Sequence, residues 1–149
     1  MTIAARDTIS AKEAEVYATI NGRVEKLAYV VDFEANVEKN KTEIRSLGRR
    51  MVGHKTTSLT GSGKMTIHAV TSKFRTMMQD YVKTGQDVYL DMTVIIDDPA
   101  SDAGRQTVKL SGVNVDSTNL VKASDDDSVA QSEINFTFED FEISEAHRL

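Results

Sequence analysis

The sequence predicts a mainly β (α+β) domain, an antiparallel sandwich or barrel of about six or seven strands with one packed α-helix, on three observations. Apolar residues recur on alternate positions in several stretches separated by turn residues; one stretch alone, near residues 71–85, has helical spacing; and strands do not alternate with helices. A chain of 149 residues fits a single domain, 1–149, with a real core.

Residues 1–13 mix charges with small residues and read as an N-terminal arm. After "EVYATI", Asn21-Gly22 marks a hairpin, because both residues accept positive φ. Leu27, Tyr29, Val31, Phe33, Ala35 and Val37 then share one parity against Lys26, Asp32, Glu34, Asn36 and Glu38, which predicts a long half-buried strand. Residues 39–56, "KNKTEIRSLGRRMVGHKT", show no clean period and a surplus of positive charge, so they read as a long loop or a protruding hairpin. "TSLT" and "KMTIHAV" read as two strands joined by a turn at "GSG". In "TSKFRTMMQDYVKTG", Phe74, Met77, Met78, Tyr81 and Val82 form one helical stripe, read as core. Thr71 or Ser72 caps that helix's start and Gly85 its end. Val88, Leu90, Met92, Val94 and Ile96 share a strand face; "DDPASDAGR" is a turn; Gly112 shifts parity between Leu110 and Val113, which predicts a bulge. The acidic connection "NLVKASDDDSVA" leads into "SEINFTFEDFEI", where Ile134, Phe136 and Phe138 face together.

No catalytic, cofactor-binding or metal site emerges. "GSGK" fails the phosphate-loop pattern twice: Ser58 stands at the first glycine position and Met65 where a magnesium-holding hydroxyl belongs. His54, His68 and His147 have no ligand spacing, and neither Asp97-Asp98 nor Asp125-Asp126-Asp127 fits a calcium loop. A chain without cysteine has no disulfide framework, and its net charge of -5 disfavours general attraction to nucleic acid or an anionic membrane. The N-terminus shows neither a signal peptide nor a membrane span. A basic segment on an acidic chain has a better use: Arg45, Leu47, Arg49, Arg50, Met51, His54 and Lys55 are the candidate subunit-contact loop, pairing with an acidic face of another copy. A small β-sandwich ligand-binding module, for example for a carbohydrate, is the competing class, but tryptophan is absent and aromatic residues make up only 6% of the chain, too few for the aromatic platforms such a module presents.

"GHKTTSLTGSGKMTIHAVTSKFR", "VYLDMTVIIDDPASDAGRQTVKLSGVNVD" and the terminal "INFTFEDFEI" together resemble the tail tube proteins of contractile-tailed phages, in particular those of the PBSX phage-like element of Bacillus and related prophages. The resemblance covers most of the chain and is weakest over residues 1–13. It implies a virion structural protein, made in the bacterial host cytoplasm, that assembles into stacked hexameric rings. Those rings form a tail tube inside a sheath, on a baseplate, with DNA passing through the lumen without specific binding. Tubes of bacteriocin or secretion machines share that architecture.

Overall fold

The computed structural model describes residue 5 and residues 14–27, 29–69, 72–101, 103–120 and 130–145. Its order is β1 (Ala14–Ile20), β2 (Arg23–Lys26), β3 (Val30–Ile44), β4 (Gly53–His68), α1 (Lys73–Thr84), β5 (Leu90–Ile96), β6 (Gln106–Thr118), β7 (Gln131–Phe138) and β8 (Asp140–Glu145). Neighbours along the sheet run β2-β1-β5-β6-β7-β4-β3, with β8 also on β6, and each pairing is antiparallel. The N-terminal arm 1–13, Thr71, the Asp125–Asp127 run and His147 lie outside the described residues, Ala5 excepted.

Two turns follow directly from local chemistry. Asn21 (φ 52°) and Gly22 (φ 80°) close the β1–β2 hairpin as their sequence predicts. Gly112 (φ 66°) makes the predicted bulge: Leu90 opposes Val113 and Met92 opposes Leu110, so β6 carries an extra residue there. That bulge divides β6. Its first half pairs with β5 and β8, and its second half, from Asn114, pairs with β7. The last two strands are one run interrupted at Glu139, whose N–H still donates to the Ser111 carbonyl at 3.0 Å.

The inward faces of both halves meet in one core. Ala18 of β1, Met92 of β5, Val113 of β6 and Ile134 of β7 are fully enclosed, with Met65, Ile67, Phe136 and Phe74 beside them. α1 belongs to this core by its N-terminal half. Phe74 is buried and Met77 packs partly against the cluster, but Tyr81 and Val82 are exposed, so the predicted apolar stripe is covered at one end. Polar bonds hold that end down: Lys73 pairs with Glu25 of β2, and Arg75 donates to the Asn119 carbonyl at 2.6 Å and to Ser132 Oγ at 2.8 Å. Gly85 (φ 76°) ends the helix as predicted, its N–H donating to the Tyr81 carbonyl. Ser72 stands at the N-cap position, though its side chain makes no cap bond; its carbonyl accepts from the Thr76 N–H and hydroxyl.

The predicted turn at "GSG" is not a turn. β4 runs unbroken from Gly53 to His68, pairing with β3 along one edge and with β7 along the other from Gly61 onward. The glycines have a packing cause: Gly61 opposes Phe138 and Gly63 opposes Phe136, and the rings lie over the bare backbone. A Cβ on Gly63 would stand 2.5 Å from Phe136 Cζ, and one on Gly61 2.6 Å from a Phe138 ring carbon. Phe33 closes the row, its ring centroid 5.6 Å from that of Phe136.

Candidate subunit-contact surface

The segment 39–56 takes the protruding-hairpin form: residues 39–44 end β3, residues 53–56 begin β4, and only 45–52 lie outside a strand. This part of the hairpin has no third strand beside it among the described residues, since β4 meets β7 only from Gly61 onward. Some seven residues of each strand therefore extend about 20 Å as a two-stranded arm. Every described residue of β3 from Glu34 to Ile44 is exposed, so the half-buried strand predicted from parity is half-buried only near Val30 and Phe33.

Local chemistry shapes the arm. Thr57 is an extra residue between the Asn40–Ser58 and Lys41–Thr56 pairs, and its hydroxyl donates to the Asn40 carbonyl at 3.1 Å. Asn40 Nδ2 in turn donates to Ser58 Oγ and Thr60 Oγ1 at 3.0 and 2.9 Å, so side chains tie the two strands across the bulge. At the tip, Gly48 (φ 82°) turns the chain and the Arg49 N–H donates to the Ser46 carbonyl at 3.4 Å.

All of the predicted contact residues gather at this end. Leu47 and Met51 are 104% and 81% exposed, and Arg45, Arg49, Arg50, His54 and Lys55 are exposed around them. Arg45 reaches Glu43 at 3.4 Å, whereas no ion pair among the described residues engages Arg49, Arg50 or Lys55. Residues 39–56 hold six Lys and Arg against one Glu, which leaves twelve basic and 22 acidic residues in the remainder of the chain. The protein is thus strongly divided in charge.

Two concave surfaces lie away from the tip. A groove of about 690 Å³ runs between β1, β5 and the start of β3, with Val31, Asp32, Asp97, Lys26 and Arg105 among its lining residues. Glu15, which also lines it, accepts from the Tyr17 hydroxyl at 2.8 Å, and this bond, helped by Lys26 Nζ at 3.3 Å, holds the Glu15 carboxyl below its ordinary value. The second, a hollow of about 420 Å³, lies where the arm leaves the body and includes Val37, Leu59, Gly61, Phe138 and Phe141, with Glu139 and Asp140.

The profile of the family described as "Phage tail tube protein" matches residues 1–145. This chain belongs to the phage tail tube protein family. It is 44% identical over 145 residues to the phage-like element PBSX protein XkdM of Bacillus subtilis (strain 168), covering 97% of this chain and 96% of that one. Among solved structures it shares its fold with a chain of the six-fold symmetrised baseplate of the anti-feeding prophage (TM-score 0.71, 10% identity, 96% of this chain and 97% of that one). A chain of the sheath–tube complex of the PVC extracellular contractile injection system is similar too (TM-score 0.67, 14% identity, 93% and 92%).

For this tail tube protein, sequence patterning finds the tip and misses the hollow. Val37 has a visible parity, but Leu59, Phe138 and Phe141 come from three strands, and nothing in their spacing announces that they meet. The signal that was available is the glycine pair in β4, facing two phenylalanines in β7. His54 and His68 stand near opposite ends of β4 and form no common site.

Proposed function

We propose that this tail tube protein assembles as hexameric rings stacked into the inner tube of a contractile phage tail or phage-like particle. The sheath surrounds that tube, the baseplate nucleates it, and DNA passes through its bore. The virion tail is then its place of action, after synthesis in the host cytoplasm. The single observation that carries this reading is the family match from residue 1 to residue 145; the names of the relatives' assemblies, a six-fold baseplate and a sheath–tube complex, support the ring and its partners. The tube of a contractile injection machine is the second reading, favoured by the shared fold with the injection-system chain. Capsid and DNA-packaging genes beside this one separate the two.

The chain's physics suits such a role. A two-stranded arm in water is marginal alone and gains from burial against a neighbour. Exposed edges such as the free side of β3 are hazards that regular assembly removes by pairing or covering them. Asp32, Glu34, Glu38 and Glu133 are exposed on the polar faces of β3 and β7, with Lys64 beside Glu34, and an acidic wall of this kind repels phosphates and keeps DNA sliding. Sedimentation over rising concentration, with negative-stain microscopy of the same samples, tests the proposal. Six-membered rings or hollow tubes are the expected result, and globular monomers at every concentration, with or without baseplate, contradict it.

A further inference from the structure

Resting on that assembly reading, we infer that the hairpin tip of one copy, Leu47 and Met51 flanked by Arg49 and Arg50, docks into the hollow bounded by Val37, Leu59 and Phe141 on a second copy. The tip is apolar at its point and basic at its sides. The hollow is its complement. Val37, Leu59 and Phe141 are 44%, 63% and 44% exposed, large apolar groups left open to water, and the charges at the rim are those of Glu139 and Asp140. Between Glu133 and Glu145 the chain carries five acidic residues and no basic one.

The other groove is the weaker receptor. Asp32 and Asp97 give it acidic charge as well, but Lys26 and Arg105 also line it, and of its large apolar residues Val31 is the one left broadly open to water, so it offers an apolar tip less to bury against. The occupant of the hollow is also another copy by geometry. Gly53 and Leu59 are six residues apart along β4, about 20 Å, so a tip beyond Gly53 points away from its own hollow. A contact that joins two different patches of the same chain is heterologous, and repeats of it close as rings or run on as filaments. Complementary charge fixes its register and speeds encounter, while the two apolar side chains supply the burial.

The test uses the full chain and two charge reversals, Arg49→Glu with Arg50→Glu in one variant and Glu139→Lys with Asp140→Lys in the other. Each alone should raise the concentration at which tubes appear by at least about tenfold, with a thermal midpoint for the single subunit close to the parent's. Mixed one to one, the variants should copolymerise near the parental concentration, because each tip then meets a hollow of opposite sign. Leu59→Lys, at an exposed position outside the core, is a second probe and should act like the hollow variant. Tubes that form from the hollow variant and from Leu59→Lys as readily as from the parent overturn this contact alone, as does a mixture that stays unassembled while both variants remain folded. Parent chains that never assemble overturn the tube reading and this contact with it.

Discussion

Gly63 shows how a single hydrogen side chain sets the packing of a sheet. Its neighbours on the core face are Ala35 of β3 and Phe136 of β7, and the phenylalanine ring occupies the volume a larger residue needs. A Cβ there would also stand 2.6 Å from the Glu34 carbonyl oxygen, which is backbone and gives way poorly. Gly63→Ala is therefore expected to lower unfolding stability by about 1–3 kcal/mol, the cost of overpacking, measured by urea denaturation of the unassembled subunit; a midpoint unchanged from the parent contradicts the packing account. Phe136→Ala removes the ring that the glycine accommodates and should cost more, about 3–5 kcal/mol. Taken as a local motif, Gly-Ser-Gly points to a turn. It lies within a strand because Phe136 and Phe138, more than seventy residues later, require flat backbone beneath them. No local pattern carries that information.

At the scale of elements, periodicity served where one face is buried and failed where none is. Leu90, Met92 and Val94 in β5, and Ile134, Phe136 and Phe138 in β7, alternate in sequence and are buried as predicted. Residues 39–44 and 53–56 lack alternation because neither face meets a core, so the pattern leaves a long loop and a protruding hairpin equally open and does not by itself announce the strand pair. The predicted strand count falls short of eight because β2 merges with β3, and β7 with β8, when Leu27 and Glu139 carry no break signal, while the division of β4 at "GSG" adds one strand back. The helix makes the opposite error visible: its stripe reads as core along its length, yet burial stops after its first turns. Phe74→Ala should accordingly cost about 3–5 kcal/mol, whereas Val82→Ser, at a 77% exposed position, should stay within about 0.5 kcal/mol in the isolated subunit. Equal losses at the two positions would mean that α1 packs along its full length. A larger penalty for Val82→Ser in assembled tubes than in subunits would place this end of α1 in a contact with tube or sheath.

The whole molecule is organised by charge and by what its fold leaves uncovered. A basic arm stands on an acidic body, and an apolar tip and an apolar hollow occupy different places on one chain. The proposed acidic wall on the polar faces of β3 and β7 carries its own prediction: tubes assembled from an Asp32→Lys, Glu34→Lys, Glu133→Lys variant should retain duplex DNA at low salt, where parental tubes release it. Equal retention by both would remove this surface from the bore. The central claim is that copies of this chain build a tube through the arm. A helical reconstruction by electron cryo-microscopy of the assembled protein tests it most directly. The account predicts six subunits per ring, with Leu47 and Met51 of each arm buried against Val37, Leu59 and Phe141 of a neighbouring copy; tubes whose arms remain free in solvent would contradict it.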